Sequence, residues 1–416
     1  MMDFQKTNTS RKQTANLQLV KETNLALVFN LIYRHGPVSR AELAQKTRMS
    51  PTTVSSLIEE LLKNDIAVET GAGKTSTSGR KPIMVEINPC GGYVIAYEIV
   101  ENGILGSLYD LLCRQVDEFH YEVTDFESLG TRMIEAAEKL IARHGIPEKK
   151  LLGFSIGFPG LINHMEQRVI SSTVVTVGTG NDFCGRMRER FSGVPVFFEN
   201  QSYFCAYAEK QFGIGENIQN LIFIDINIGI GAGIIVEGGM FRGTSGMAGE
   251  IGHISIDMNG PRCKCGNRGC LEIMASIPAM VQKIVFAVMS GRDTVIKEIT
   301  QNDLNKINVD VISRAIKRND GLATEIADEI ALKLAFGINN VVNLFNPQVV
   351  VIGGEITKIG DAFLDRVREH LRSIELMPGM NRPELKYSYL KGNTASLGGA
   401  RYALDNIFKI PGLFKE

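Results

Sequence analysis

The first ninety residues contain apolar positions at helical spacing, separated by recognisable start and stop signals. From Asn24 onward, apolar residues recur every three or four positions, until a Gly-Pro pair at residues 36–37 ends the run. Ser39 and Glu42 have the spacing of a capping box and predict a second, short helix. Ser50, followed by proline, is a typical N-cap for a third helix, whose apolar face comprises Val54, Leu57, Ile58, Leu61 and Leu62.

A two-stranded hairpin is predicted after the third helix, since residues 66–69 form a short extended segment and residues 83–87 alternate between apolar and polar positions. The segment that joins them is basic and rich in Gly and Ser. Three helices followed by a hairpin make a winged helix-turn-helix, which we place at residues 21–88. The alternative is a small helical protein-interaction module with a solvated basic loop. Residues 1–20 are polar without periodicity and predict a flexible arm.

From residue 89 onward, short apolar runs alternate with longer segments of helical spacing. The predicted strands are residues 94–99, 151–156, 194–198, 221–226 and 349–352. The predicted helices are residues 126–143, 277–289 and 323–344. This alternation is typical of an α/β fold with parallel or mixed sheets covered by helices.

The distribution of charge supports a nucleic-acid-binding role for the first segment. The 416 residues carry 45 basic and 46 acidic side chains, a net charge of −1 that by itself argues against nucleic acid. Residues 1–90, however, hold 12 basic and 8 acidic side chains, and the remaining residues hold 33 and 38. The net charge of +4 therefore lies on the predicted winged helix, and −5 lies on the body.

Small polar residues at the start of the third helix can approach base edges and phosphates in a major groove. Basic residues of the predicted wing are suited to phosphate or minor-groove contact. The candidate DNA-binding residues are therefore Arg48, Ser50, Thr52, Thr53, Ser55, Ser56, Lys74, Arg80 and Lys81.

Cysteine usage indicates a metal site in a reducing compartment. The N-terminus lacks the apolar core of a secretory signal, and no run has the length and apolar character of a membrane span, so a cytoplasmic protein is expected. Three of the seven cysteines fall within eight residues, and a histidine precedes them. One imidazole and three thiolates make a closed tetrahedral set for one structural Zn²⁺ per chain, formed by His253, Cys263, Cys265 and Cys270. Incidental or reactive thiols are the alternative.

Two carboxylates flank the predicted metal ligands. Glu250 precedes His253, and Glu272 follows the last cysteine. The second ring nitrogen of a metal-bound imidazole can hydrogen-bond, and carboxylates accept strongly from adjacent hydroxyls. Together these groups favour recognition of a polyol such as a sugar. If the zinc only stabilises the fold, the neighbouring carboxylates do not indicate a sugar site.

These residues resemble the zinc and sugar motif of the ROK family (repressors, open reading frames and sugar kinases). Further landmarks of that family occur in the same order at residues 157–160, 229–233, 346–354 and 398–400. The resemblance covers essentially the whole chain and implies a winged helix-turn-helix followed by a two-lobed, actin/hexokinase-like body. It implies sugar contacts from Glu250, His253 and Glu272, and also from Asn200.

The resemblance also implies a division of the body into lobes. The small lobe would span residues 89–198, completed by a C-terminal helix at 398–416. The large lobe, with the zinc motif, would span residues 199–397.

Two departures from the family pattern argue against phosphoryl transfer. ROK kinases carry Asp-x-Gly-Gly-Thr after the first strand of the body, whereas this chain has Glu98-Ile-Val-Glu101-Asn102. The flexible glycines are missing, and Glu101 would place negative charge where phosphates should lie. The family's catalytic Asp is replaced by Gln201, whose amide cannot accept the proton of the attacking hydroxyl. No catalytic residue is therefore predicted, although Gln201 can still hydrogen-bond to a sugar.

The predicted function is that of a sugar-responsive, DNA-binding transcriptional regulator, in particular a repressor. Its expected partners are double-stranded operator DNA, a small sugar effector and further copies of itself in a homodimer or homotetramer, with no membrane involved. Two alternatives stay open. One is an active ATP-dependent sugar kinase with a fused DNA-binding domain, and the other is a regulator controlled by a protein partner.

Overall fold

The N-terminal domain consists of three helices and a three-stranded antiparallel sheet. The computed structural model describes residues 9–72, 82–123, 126–163, 166–172, 174–175 and 182–410. The elements of this domain are α1 (Thr9–His35), β1 (Val38–Ser39), α2 (Arg40–Thr47), α3 (Pro51–Lys63), β2 (Ala67–Ala72) and β3 (Ile83–Ile87). The strands lie in the order β1-β3-β2, which with the three helices makes the predicted winged helix-turn-helix.

Local hydrogen bonds explain why these helices begin where they do. The Ser39 side chain accepts from the Glu42 N–H, and the Glu42 carboxylate accepts from the Ser39 N–H at 2.8 Å, which is the predicted capping box. The Ser50 hydroxyl accepts from the Thr53 N–H at 3.1 Å and caps α3. Between the two helices, Arg48 adopts a left-handed conformation with a φ of 59°. The predicted starts of α2 and α3 are thus confirmed.

The predicted flexible arm at residues 1–20 is wrong for residues 9–20, because α1 begins at Thr9. Residues 1–8 lie outside the described residues. The polar composition of residues 9–20 gave no apolar periodicity from which a helix could be predicted. The apolar turns of α1 begin at Asn24, and the helix extends from them toward the N-terminus as far as Thr9. This extension is possible because adding residues to an existing helix costs less free energy than nucleating a new one.

The first lobe of the body is built on a five-stranded mixed sheet. Strands β4, β5 and β6 form an antiparallel meander. Strand β7 pairs parallel to β4, and β10 pairs parallel to β7. The sheet order is β10-β7-β4-β5-β6. The elements are β4 (Tyr93–Val100), β5 (Gly103–Asp110), β6 (Gln115–Glu122), α4 (Leu129–His144), β7 (Leu151–Phe158), β8 (Leu161–Asn163), β9 (Arg168–Ser171), α5 (Phe183–Arg190) and β10 (Val196–Asn200).

The second lobe repeats this strand order. Its sheet runs β13-β12-β11-β14-β15, again a three-strand meander extended by two parallel strands. Its strands are β11 (Leu221–Ile226), β12 (Ile230–Val236), β13 (Gly239–Phe241), β14 (Val349–Gly353) and β15 (Glu384–Tyr387). The helices from residue 201 onward are α6 (Gln201–Phe212), α7 (Leu271–Ala275), α8 (Ile277–Met289), α9 (Ile296–Thr300), α10 (Val309–Lys317), α11 (Gly321–Phe345), α12 (Asp361–Ser373) and α13 (Thr394–Ile407).

This duplicated sheet confirms the predicted α/β fold with a two-lobed, actin/hexokinase-like body. The predicted strands at 94–99, 151–156, 221–226 and 349–352 all lie within observed strands. Every residue of β7 and of β14 is buried, as expected for the continuous apolar runs of a covered parallel sheet.

The C-terminal helix α13 joins the winged domain to the first lobe. It packs on β7, β4 and α6. It spans Thr394–Ile407 rather than the predicted 398–416, and residues 411–416 lie outside the described residues. Phe29 of α1 packs against Phe408, with the rings tilted by 30° and their centroids 4.1 Å apart. The buried side chains of α1, α3 and the wing therefore form one hydrophobic core with those of α13 and the first sheet.

The helices among the described residues can be compared with the requirements of a membrane-spanning segment. None of the helices there combines the length and the apolar character that a membrane span requires.

Candidate functional site

The predicted metal ligands converge in one loop of the second lobe. One ligand atom from each of His253, Cys263, Cys265 and Cys270 lies within 4.8 Å of the others. The Cys263 Sγ is 3.8 Å from the His253 Nδ1, and the Cys265 Sγ is 3.6 Å from the Cys270 Sγ. With Zn–S bonds of about 2.3 Å, a tetrahedral site has ligand–ligand distances of about 3.5–3.8 Å. The four residues can therefore hold a metal ion.

Glycines allow this loop to fold back tightly on itself. Gly269 has a φ of +59°, and a Cβ there would lie 1.7 Å from the Asp257 carbonyl oxygen. The Cys263 N–H donates to the Asn267 carbonyl at 2.8 Å, so the chain reverses between two of the cysteines. A backbone N–H bond from Asn267 also lowers the pKa of Cys265, which favours the thiolate needed for metal binding.

The two predicted carboxylates lie beside the metal ligands. Burial raises the pKa of Glu250, with His253 lowering it and Glu272 raising it. Glu272, in the first turn of α7, accepts a hydrogen bond from the Ile230 N–H at 3.0 Å through Oε2. That bond fixes the carboxylate at the start of β12. Glu250 therefore lies close enough to both His253 and Glu272 to respond to their charges.

Asn200 and Gln201 lie where β10 ends and α6 begins. The Asn200 Oδ1 accepts from the Ser202 N–H at 2.8 Å and caps α6, while its Nδ2 donates to the Gly160 carbonyl at 2.9 Å. The Gln201 Nε2 donates to the Glu98 carboxylate of β4. Both side chains are thus held at the end of the first sheet, so the change of lobe falls after Asn200 rather than at the predicted residue 199.

The start of β12 lies between these two groups of predicted sugar contacts. Ile230 donates its N–H to Glu272, and a Cβ on the next residue, Gly231, would lie 2.5 Å from the Ser202 Oγ. Ser202 follows Gln201 directly. The start of β12 therefore contacts Glu272 through Ile230 and lies against Ser202, the neighbour of Gln201, through Gly231.

The turn that would hold phosphate in a kinase is a tight hairpin. Strands β4 and β5 pair along their full length, from Tyr93 with Asp110 to Val100 with Gly103, so that only Glu101 and Asn102 remain in the turn. Both residues are exposed. Without glycine, the turn lacks the flexible backbone that could wrap around a phosphate.

Two carboxyl groups near this turn have unusual protonation behaviour. Burial and the repulsion of Asp225 raise the pKa of Glu98 to about 7. Burial raises the pKa of Asp225, at the end of β11, to about 6. The Glu98 Oε2 is shielded from solvent and has no hydrogen-bond partner among the described residues.

The predicted DNA-binding residues of α3 lie on the surface of the winged domain. Five of the six are exposed and Ser55 is half-buried, whereas Val54 and Leu57 point into the core. Those five are Arg48, Ser50, Thr52, Thr53 and Ser56. The predicted wing residues Lys74, Arg80 and Lys81 lie outside the described residues.

Sequence reasoning missed an ion pair between the lobes. Arg242, directly after β13, pairs with Glu199, which is 4% exposed and precedes Asn200. The Glu98–Gln201 hydrogen bond was also not predicted. A charged residue at the end of an apolar strand, as at Glu199, signals a buried partner, but the sequence does not identify which cation that is.

Known proteins resemble the chain in both of its parts. The ROK family matches residues 108–406, well over half of the chain. The chain belongs to the ROK family. A winged helix-turn-helix DNA-binding family matches residues 24–67. Both matches agree with the domains seen in the fold.

Two curated relatives match almost the whole length of this ROK protein. The xylose repressor of Bacillus subtilis is 32% identical over 394 residues, covering 94% of this chain and 97% of the relative. The transcriptional dual regulator NagC of Escherichia coli is 29% identical over 357 residues, covering 85% of this chain and 86% of the relative. Both relatives are named as regulators of transcription.

Solved structures give the same assignment for the fold. A ROK family transcriptional regulator, a homologue of the E. coli Mlc protein, covers 94% of this chain and 97% of its own, with a TM-score of 0.82 at 25% identity. A ROK family glucokinase from Streptomyces griseus covers 75% of this chain and 99% of its own, with a TM-score of 0.67 at 23% identity. The glucokinase shares the fold of the body, and the regulator spans the winged domain as well.

Proposed function

We propose that this ROK protein is a repressor whose binding to operator DNA is modulated by a sugar held between the two lobes. The observation that carries the proposal is the shared hydrophobic core of the winged domain and the first lobe, since it connects the DNA-binding element to the sheet that ends at Asn200, one of the proposed sugar contacts. The proposed sugar contacts are Asn200, Gln201, Glu250, His253 and Glu272. The candidate sugars include xylose and N-acetylglucosamine, because relatives are named for repression linked to these compounds.

The ion that fits the His/Cys cluster best is Zn²⁺, one per chain, in a structural role. Three thiolates and one imidazole suit its preference for sulfur and nitrogen ligands in a tetrahedral set. Four protein ligands leave no open position for water, so the ion would supply stability rather than chemistry. It would hold the loop that positions Glu250, His253 and Glu272 toward the sugar.

The chain is proposed to lack kinase activity. A sugar kinase needs a general base on the attacking hydroxyl, and Gln201 cannot accept that proton. It also needs a phosphate-binding backbone, which the glycine-free turn at Glu101 and Asn102 does not offer.

Operator recognition is assigned to α3 and the wing. Exposed Arg48, Thr52 and Ser56 offer a cation and hydroxyl groups toward a major groove. A single winged helix reads one half-site, so a cytoplasmic homodimer or homotetramer is part of the proposal. Exposed apolar side chains on α8 and α11, namely Phe286, Met289, Phe336 and Leu344, offer a surface on which copies could pair.

Fluorescence anisotropy tests the proposal directly. The full-length protein selects a binding sequence from a random-sequence duplex pool, and the labelled duplex is titrated at several concentrations of each sugar that calorimetry shows to bind. We expect at least one sugar to change the operator Kd by about fivefold or more. An operator Kd that no bound sugar alters would overturn the mechanism.

The two alternatives have their own readouts. A coupled ATPase assay with hexoses, pentoses and N-acetyl sugars is expected to show no turnover above the protein-free rate, and robust turnover would establish the fused kinase instead. If the operator Kd does not respond to any sugar and changes only when a protein partner is added, the chain is instead a regulator controlled by that partner.

A further inference from the structure

The side chain of Arg242 lies between the two segments that carry the proposed sugar contacts. Its guanidinium pairs with Glu199, the residue before Asn200. Its backbone carbonyl accepts from the Ala248 N–H at 3.1 Å, two residues before Glu250. One residue thereby contacts the first-lobe segment through its side chain and closes the second-lobe loop through its backbone.

The same guanidinium contacts helix α13. Its Nη2 donates to the Tyr402 hydroxyl at 2.7 Å, and its Cζ lies 4.5 Å from the centroid of the Tyr203 ring. Tyr402 in turn packs edge-on against Tyr207 of α6, with centroids 5.3 Å apart. An Arg fork that is held by a carboxylate, a hydroxyl and an aromatic face is strongly oriented, because each contact restricts a different part of its plane.

The neighbouring residue of α13, Arg401, contacts the DNA-binding domain. Arg401 is 1% exposed, and its Nη2 donates to the Asn30 side chain of α1. Its guanidinium lies 3.8 Å from the centroid of the Tyr33 ring, also on α1. The Asp405 carboxylate, one helical turn along α13, accepts from Arg401 at 2.6 Å and from Tyr207 at 2.5 Å.

We propose that Arg242 is a positioning residue of the cleft, whose contact with Tyr402 transmits sugar occupancy through α13 and Arg401 to helix α1 of the DNA-binding domain. The inference rests on the proposed function and deepens it. Tyr402 and Arg401 are consecutive, so any rotation or shift of α13 that follows Arg242 moves both contacts. Because Arg401 is buried between α1 and α13, its partners Asn30 and Tyr33 must follow that movement or lose a charge-assisted contact.

Coupling is measured as the ratio of two operator Kd values, one at saturating sugar and one without sugar. The probes are the duplex selected by the wild-type protein and the sugar among xylose, N-acetylglucosamine and glucose that calorimetry shows to bind most tightly. Each variant is measured at a sugar concentration that saturates it. A weakened sugar affinity therefore does not change the ratio, and only a change in coupling does. Arg242→Gln removes the ion pair and the hydrogen bond to Tyr402, whereas Tyr402→Phe removes only the hydroxyl and leaves the ring packing.

The matched control is Arg34→Gln. Arg34 of α1 is exposed and donates to Gln211 of α6 at 2.9 Å, so this variant also removes a cation between the DNA-binding domain and the body, without touching α13. We expect the wild-type ratio to differ from one by about fivefold or more. The ratio should fall to within about twofold of one in Arg242→Gln, fall by a smaller factor in Tyr402→Phe, and stay at the wild-type value in Arg34→Gln.

The outcomes separate this proposal from the proposed function. A responsive wild-type protein with an equally responsive Arg242→Gln variant overturns the role of Arg242 and leaves the repressor function standing. A wild-type ratio of one overturns the proposed function, and the transmission route with it. If thermal melting shows that Arg242→Gln does not fold, Tyr402→Phe decides: an unchanged ratio overturns the proposal, and a reduced ratio supports it.

Discussion

The two lobes of the body share one strand order but differ in what their first hairpins carry. In the first lobe, β4 and β5 meet in a two-residue turn of Glu101 and Asn102. In the second lobe, β11 and β12 meet around Asn227 and Gly229, where Asn227 bonds to Asp225 and accepts from the Glu355 N–H. The first turn has two residues and no glycine, although Gly103 follows it directly, whereas the second turn has three residues and includes Gly229.

This contrast shows how a duplicated fold can divide its tasks. The second lobe carries the His/Cys cluster and two of the proposed sugar-binding carboxylates, while the first lobe carries the winged domain on its sheet and on α13. Under the proposed function, the two-residue first turn provides no phosphate site, while Asn200 and Gln201 still contribute sugar contacts. On this account both lobes contribute sugar contacts, and the first lobe also connects the sugar site to the DNA-binding domain.

The largest expected effect comes from removing a metal ligand of the second lobe. Cys265→Ser should lower the zinc content from about one ion per chain to near zero, and should lower the melting temperature by about 5 °C or more, because metal binding is coupled to folding. Metal analysis of the purified protein and calorimetric melting check both values. Cys90→Ser, which removes an exposed thiol outside the cluster, is the control and should retain the ion. Equal zinc in the Cys265 variant would contradict the assignment.

A carboxylate of the second lobe should matter for sugar and not for DNA. Glu272→Ala should weaken sugar binding by about 10- to 100-fold, since it removes a charge-assisted acceptor worth about 1.5–3 kcal/mol. Calorimetry measures the sugar Kd, and anisotropy measures the operator Kd without sugar. Glu298→Ala, on the surface helix α9, should change neither value. Loss of operator binding in the Glu272 variant would assign that residue a structural role. It would also contradict the claim that this carboxylate of the second lobe serves sugar binding alone.

A carboxyl group of the first lobe should make stability depend on pH. The pKa of Glu98 is raised to about 7 from an ordinary 4.5, so its charged form destabilises the folded state increasingly as pH rises from 4.5 to above 7. Glu98→Gln removes this cost and should raise the free energy of unfolding by about 1–3 kcal/mol at pH 8, with little gain at pH 4.5. Urea unfolding at both pH values checks the difference. Glu118→Gln, on the exposed face of β6, is the control. If Glu98→Gln raises the free energy of unfolding equally at both pH values, the raised pKa of Glu98 is not the reason for the gain.

The smallest expected effect concerns the wing. Arg80→Ala should weaken operator binding several-fold and reduce the slope of log Kd against log salt by about one, if Arg80 neutralises one phosphate. Anisotropy titrations at four salt concentrations measure the slope. Lys63→Ala, at the far end of α3, should leave it unchanged. An unaltered slope for Arg80→Ala would remove the wing from the interface.

Local patterns were enough to predict much of the fold. The capping box at Ser39 and the N-cap at Ser50 marked two helices correctly, because such signals act within a few residues. The apolar runs marked β4, β7, β11 and β14, since strands covered on both faces need apolar side chains throughout. Strand β6 was missed because its burial alternates with exposed polar residues and its pairing with β5 is not a local property.

The candidate site divides in the same way. The Cys/His spacing and the carboxylates around it could be predicted, because those residues are close along the chain. The pairs Glu199–Arg242, Glu98–Gln201 and Arg401–Asn30 could not, because each joins residues far apart in sequence whose meeting depends on how the lobes and α13 pack. Charge alone does not select the partner of a buried ion.

The most direct test of the central claim is reciprocity between sugar and DNA. Calorimetry measures the sugar Kd of the full-length protein with and without a saturating amount of the selected duplex. If both ligands act on one coupled molecule, DNA must change the sugar Kd by the same factor by which sugar changes the operator Kd, about fivefold or more. The account predicts equal factors, and a sugar Kd that is identical with and without DNA would contradict it.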